Sequence, residues 1–84
     1  MELKQVFALL EQIINDRTVP KNIRKAVEDS KAILSGSSDS AQVQVSTAIS
    51  ILDEIINDPN MPMYTRTNIW NVVSMLEEKR RELV

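Results

Sequence analysis

Histidine and cysteine are both absent from the chain. Without cysteine there is no disulfide, no thiolate zinc site and no cysteine nucleophile, and without histidine the commonest metal ligand and the usual general base are missing. The single glycine excludes a glycine-rich phosphate-binding loop, and with only three prolines it argues against a turn-rich β-protein. We therefore expect no catalytic residues, no metal site, no cofactor and no enzymatic activity.

Long hydrophobic runs and a strong charge of one sign are also lacking. No apolar run approaches the roughly 20 residues that a membrane-spanning helix needs, and residues 1–4 lack the apolar core of a signal peptide. The net charge of −2 provides no global attraction for nucleic acid. The 84 residues suffice for one small domain, which we expect in the cytoplasm without membrane contact.

The second half of the chain repeats the first at an offset of 42 residues. Residues 9–34 and 51–76 align without a gap over 26 positions and share eight identities, where ordinary residue usage gives roughly two by chance. The alignment predicts two copies of one structural unit. The identical pairs are Leu10/Leu52, Ile13/Ile55, Ile14/Ile56, Asn15/Asn57, Asp16/Asp58, Pro20/Pro62, Arg24/Arg66 and Leu34/Leu76.

Each unit reads as helix, loop and helix, because apolar residues recur at three- and four-residue spacing on both sides of a loop. The predicted hairpins cover about residues 2–34 and 41–82 and are joined by a Ser/Gly-rich linker, residues 35–40. Pro20 and Pro62 are predicted in the first turn of the second and fourth helices, Gly36 at the end of the second helix, and a residue within 38–40 as the cap of the third. An all-α, closed four-helix bundle is favoured over a short stacked solenoid, since two units are fewer than a free-standing solenoid needs.

Two segments carry a resemblance to a known family: INDRTVPKNIRKA, residues 14–26, and VSTAISILDEIINDPNMP, residues 45–62. Together with Arg66 and the Ile-Trp-Asn that follows at 69–71, they make nearly all of residues 3–76 resemble the short archaeal proteins of uncharacterised protein family 0147. That resemblance implies an all-helical bundle in an archaeal cytosol and no assigned activity. The pattern LLxxIIND followed by proline and arginine is also similar to HEAT-type helical hairpins, although the spacing from aspartate to arginine is wider here.

Asp16 and Asp58 lie where the first and third predicted helices end, an unfavourable place for an anion in the field of the helix dipole. The favoured interpretation is structural: each carboxylate accepts loop N–H groups, and Arg24 or Arg66 pairs with it to tie the hairpin. The alternatives are a carboxylate pair for metal or acid–base chemistry, and an arginine pair that binds phosphate or a partner carboxylate.

Basic residues concentrate on the second predicted helix, where residues 17–34 carry a net charge of +3, whereas residues 40–58 carry −3. The two segments could complement each other inside the bundle or across a dimer. The alternative is that the second helix contacts RNA, which would make the chain a ribonucleoprotein accessory protein. Overall acidity and the absence of interleaved aromatic residues disfavour RNA. The basic residues concerned are Lys21, Arg24, Lys25 and Lys31.

The fourth predicted helix carries large apolar residues at positions where the first unit has polar ones. Met63, Tyr64 and Trp70 stand in place of a lysine, an asparagine and a glutamate. Met63 and Trp70, seven residues apart, share one helix face. This face either completes the core of a small domain or binds a protein partner or a second copy of the chain. The second interpretation leads to our functional hypothesis, a small non-enzymatic interaction module.

Overall fold

The computed structural model describes residues 2–83 and contains four α-helices. They are α1 (Lys4–Ile14), α2 (Lys21–Ser35), α3 (Ala41–Ile55) and α4 (Met63–Glu82). No strand occurs within residues 2–83, which confirms the predicted all-α class. No helix in this part of the chain combines the length and the apolar character that crossing a membrane requires.

The four helices form a closed ring. α1 packs against α2 and α4, and α3 packs against the same two helices, whereas the diagonal pairs α1/α3 and α2/α4 make no contact within 8 Å between Cα atoms. In a stacked solenoid the equivalent helices of the two units would pack on each other, so the observed neighbours are those of a bundle. The closed arrangement is therefore confirmed, in a body of 35 × 20 × 20 Å.

The prolines lie just before the helices rather than within them. Pro20 and Pro62 have φ of −56° and −58°, which suit a helix, but ψ of 150° and 147°, which are extended as in a residue at an N-cap position. Their carbonyls accept the N–H groups of Arg24 and Arg66 at 3.0 Å. The first-turn prediction was wrong by one residue, because the proline ring restrains φ and leaves ψ free.

The linker between α2 and α3 is held at both ends by hydrogen bonds. The Gly36 N–H donates to the Ile33 carbonyl at 3.2 Å, and the Ser40 hydroxyl accepts the Val43 N–H at 3.3 Å. Gly36 has a φ of −76°, so it ends α2 without a left-handed backbone. The Gln44 amide nitrogen donates to the carbonyl of Ile33 at 3.0 Å and to that of Gly36, which fixes the end of α2 to the start of α3.

The core runs through the centre of the ring and draws on all four helices. Leu10, Ile23 and Leu52 have no exposed surface, as their helical spacing predicted. Val19 and Met61, which immediately precede the two prolines, are also buried. The loops of both hairpins therefore fold down onto the core and leave their polar residues at the rim.

Candidate functional site

Two polar loops, one in each hairpin, lie at the same end of the bundle and contact the opposite hairpin. In the first loop, Asp16 Oδ1 accepts the Thr18 N–H at 2.9 Å and the Thr18 hydroxyl at 2.6 Å. Asp16 Oδ2 accepts the hydroxyl of Tyr64, from the start of α4, at 2.6 Å. The Thr18 and Tyr64 hydroxyl oxygens are themselves 2.5 Å apart. Asp16 therefore joins its own loop to the other hairpin.

The second loop makes two corresponding hydrogen bonds, although no side-chain hydroxyl there takes the part of Thr18. Asp58 Oδ1 accepts the Asn60 N–H at 2.8 Å, and Asp58 Oδ2 accepts the Asn22 side-chain amide, from the start of α2, at 3.0 Å. Asn22 and Tyr64 are each the second residue of their helices. The offset of 42 residues that aligns the two sequences also aligns these hydrogen bonds. The sequence did not identify either donor. Asparagine and tyrosine are chemically unlike, so the alignment of the two units gives no sign that they have the same role.

These hydrogen bonds favour the charged form of both carboxylates. The Thr18 hydroxyl, followed by the Tyr64 hydroxyl and the Thr18 N–H, holds the pKa of Asp16 below its ordinary value. The Asn60 N–H, followed by the Asn22 amide, lowers the pKa of Asp58 in the same way. Neither carboxylate is thus poised to exchange protons near neutral pH.

We expect the stability of the fold to decrease as the pH falls below about 4, the ordinary pKa of aspartate. A carboxyl group with a lower pKa in the folded state stabilises the fold fully above its unfolded pKa and loses that contribution as the pH falls through the folded value. The Asp16→Asn/Asp58→Asn variant should lose much of this dependence. The measurement is the urea midpoint of both proteins from about pH 7 to about pH 2. An equal fall in stability with pH in the wild type and the variant would contradict the prediction.

The two arginines reach loop backbone rather than the aspartate carboxylates. Arg24 Nε donates to the Val19 carbonyl at 3.0 Å, and Arg66 Nη2 donates to the Asp58 carbonyl at 2.7 Å. Within residues 2–83 neither arginine lies within 4.0 Å of an aspartate carboxylate oxygen. The expected side-chain pairs with Asp16 and Asp58 are thus not formed, because the carboxylates accept uncharged donors while the guanidinium groups satisfy carbonyls.

The basic residues of α2 are largely engaged with other side chains or with backbone. Lys25 pairs with Asp29 at 2.6 Å, one turn further along the same helix. Lys31 pairs with Glu11 on α1. With Arg24 bonded to its own loop, Lys21 is the member of the predicted basic set that has no ion-pair or hydrogen-bond partner within residues 2–83. These ion pairs lie within α2 or join it to α1, and within residues 2–83 none joins residues 17–34 to the acidic segment 40–58, so the predicted complementarity between those two segments is not formed by ion pairs.

The apolar residues of α4 divide between two faces. Met63 and Trp70 are 67% and 51% exposed and stand two turns apart on the outer side of the helix. Tyr64 is also half exposed, but it lies on the side toward α1, where its hydroxyl meets Asp16. The core interpretation of Trp70 is wrong, because the residue before it, Ile69, takes the inward position and has no exposed surface.

A cleft that the sequence did not reveal separates the end of α1 from the start of α4. It has a volume of about 410 Å³. Its inner wall includes Thr65, a residue 1% exposed whose hydroxyl has no hydrogen-bond partner within residues 2–83. We call it the α1–α4 cleft, and it is lined by Gln12, Ile13, Asp16, Tyr64, Thr65 and Asn68.

Comparison with known proteins gives a consistent match along the chain. The model of the uncharacterised protein family UPF0147 matches residues 1–78. The UPF0147 protein of Methanocaldococcus jannaschii is 55% identical over 75 residues, which cover 89% of this chain and 81% of that protein. The UPF0147 protein of Sulfurisphaera tokodaii is 53% identical over 76 residues, 90% of this chain and 85% of that one.

Two crystal structures are similar in fold and in sequence. A protein from the uncharacterised family UPF0147 of Thermoplasma acidophilum superposes with a TM-score of 0.84 at 44% identity and covers 89% of this chain and 88% of its own. The unknown-function protein MMP1188 also superposes with a TM-score of 0.84, at 47% identity, over 88% of this chain and 84% of its own. The archaeal relatives and the four-helix fold thus agree with the resemblance seen in the sequence.

Proposed function

The chain belongs to the uncharacterised protein family UPF0147, and we propose that it is a small non-enzymatic interaction module that binds a protein partner or a second copy of itself. The observation that supports this role is the exposure of Met63 and Trp70 on the outer side of α4. Tryptophan and methionine are enriched at protein–protein interfaces, and tryptophan is a common anchor there. We call this surface the α4 outer face; it comprises Met63, Thr67, Trp70 and Ser74.

The composition of this surface agrees with a docking role. Met63 and Trp70 stand at exposed positions whose removal would leave the buried core unchanged, since the inward positions of α4 are occupied by Ile69 and Leu76. Thr67 and Ser74 lie beside them with small side chains, which allow another backbone to approach closely. Large apolar side chains that share one exposed face, as Met63 and Trp70 do, are more typical of a surface that a partner covers than single scattered ones are.

The runner-up role, RNA contact through α2, has weaker support. Lys25 and Lys31 are paired with carboxylates, which a phosphate backbone would have to displace. We propose the cytoplasm as the location for either role. The chain has no cysteine, so it has no disulfide that the reducing conditions there would break.

We expect Trp70→Ala to weaken association by about tenfold or more, because the indole would be the main buried anchor of the contact. The measurement is affinity capture of the tagged full chain from its native cytosol, with sedimentation of the purified chain to detect self-association. Asn71→Ala, an exposed neighbour on the same helix, is the matched control and should bind like the wild type. Both variants should stay folded, with a free energy of unfolding within about 1 kcal/mol of the wild type.

Three results would count against the proposed role. Equal binding by Trp70→Ala and the wild type would mean that the α4 outer face is not part of the contact. A partner that is lost after nuclease treatment, with an affinity that falls steeply with salt, would favour the RNA alternative. If the chain stays monomeric and captures no protein, both binding to a protein partner and self-association are contradicted.

A further inference from the structure

The α1–α4 cleft has the features of a ligand site that is separate from the α4 outer face. The residues that line it come from α1, the loop that follows α1, and α4, and five of them carry polar groups: the amides of Gln12 and Asn68, the carboxylate of Asp16, and the hydroxyls of Tyr64 and Thr65. Its volume of about 410 Å³ is sufficient for a small organic molecule. Its lining is mixed: Ile13 and the carbon atoms of the neighbouring side chains provide apolar surface beside these polar groups, so a ligand would be held by both hydrogen bonds and apolar contact.

Thr65 provides the strongest indication. Its hydroxyl oxygen is buried and has no partner within residues 2–83, and a buried polar group without a hydrogen bond destabilises a fold. In the other hairpin, 42 residues earlier, the corresponding position is Ile23, which is completely buried. An apolar side chain is thus accommodated at that position, so packing alone does not require a hydroxyl. Thr65 is one of the residues that line the cleft, so a ligand bound there is the candidate partner for this hydroxyl.

The charges of the lining define the ligand class. Asp16 is the one ionisable carboxylate, and no lysine or arginine lines the cleft. Its Oδ2 accepts only the Tyr64 hydroxyl among residues 2–83 and retains a free lone pair. The amide oxygens and the Thr65 hydroxyl add further acceptors. The positive charge of Arg24 acts on Asp16 but Arg24 does not line the cleft, so the one charge in the lining is negative and suits a cation with several N–H donors.

We propose that the α1–α4 cleft binds a primary ammonium or guanidinium group, with Asp16 as its counter-ion and the Thr65 hydroxyl as a buried acceptor. Gln12 and Asn68 contribute amide oxygens at the rim. The cation can belong to a free small molecule or to a lysine or arginine side chain presented by a peptide; both present the same donors.

The test is an NMR titration of the full-length ¹⁵N-labelled chain with methylguanidinium and, separately, with n-propylammonium. We expect saturable shifts confined to the amides of the cleft residues. Asp16→Asn should weaken binding by about tenfold, and Thr65→Val should weaken it while leaving the Asp16 loop intact. Asp58→Asn is the matched control, because it changes the equivalent aspartate of the other loop, and it should bind like the wild type.

Further probes decide the ligand class and its source. N-methylurea has nearly the shape of methylguanidinium without its charge, so equal affinity for the two would overturn the proposal. Shifts that do not saturate, or an equal loss in Asp58→Asn, would overturn it as well. N-acetyl-arginine amide that binds more tightly than methylguanidinium would identify a peptide side chain as the ligand, and the reverse order would identify a free cation. Should Asp16→Asn fail to fold, Thr65→Val carries the test.

Discussion

We expect Ile69→Ala to lower the free energy of unfolding by about 3 kcal/mol, whereas Trp70→Ala should change it by less than about 1 kcal/mol. Ile69 has no exposed surface, so truncation removes buried methyl groups and leaves a cavity between helices. Trp70 is half exposed and leaves no such cavity. A loss of about 3 kcal/mol is a large share of the stability of a small domain.

Urea unfolding measures both changes. It is followed by far-ultraviolet circular dichroism rather than by tryptophan fluorescence, because Trp70 is the single tryptophan and Trp70→Ala removes it. The two neighbouring residues test the inward and the outward side of α4, each by truncation to alanine. If Trp70→Ala destabilises the fold as much as Ile69→Ala, the indole is packed into the core and the α4 outer face is not an available surface.

The second large effect concerns Gln44, a nearly buried glutamine in the first turns of α3. Gln44→Met keeps the length of the side chain but removes the amide that donates to the Ile33 and Gly36 carbonyls. We expect the free energy of unfolding to fall by about 1–2 kcal/mol. The Ile33 carbonyl still accepts the Gly36 N–H, but the Gly36 carbonyl loses the Gln44 donor. The urea midpoint at neutral pH provides the measurement.

Gln42→Met provides the control for this second prediction. Gln42 lies two residues earlier in α3 and is exposed, so its replacement should change stability by no more than about 0.5 kcal/mol. Equal effects at the two positions would mean that loss of a glutamine in α3, rather than loss of the link to α2, causes the change.

The helices and the core could be predicted because their causes are local. Apolar residues spaced three and four apart define one face of a helix, and Leu10, Ile23 and Leu52 are buried accordingly. Trp70 shows the limit of this reasoning. It lies beside the apolar stripe of α4, and one position along a helix is enough to turn a side chain from the core toward solvent.

The loop contacts were harder to predict because their partners are distant in sequence. The odd placement of Asp16 indicated that something stabilises its charge, and local Asx-type bonding to Thr18 follows from that. The bond from Tyr64 spans 48 residues and depends on how the two hairpins meet. Arg24 was predicted to pair with the carboxylate, but it found the Val19 carbonyl, five residues away.

The sequence by itself determined the helical class, the two hairpins, the lack of histidine and cysteine, and the family, because composition, short-range periodicity and the quoted segments carry that information. Only the tertiary structure decided that the ring is closed, that Trp70 faces outward, and that Asp16 and Thr65 line one cleft. These features depend on the rotation and approach of helices that are far apart in the chain, which no local pattern specifies.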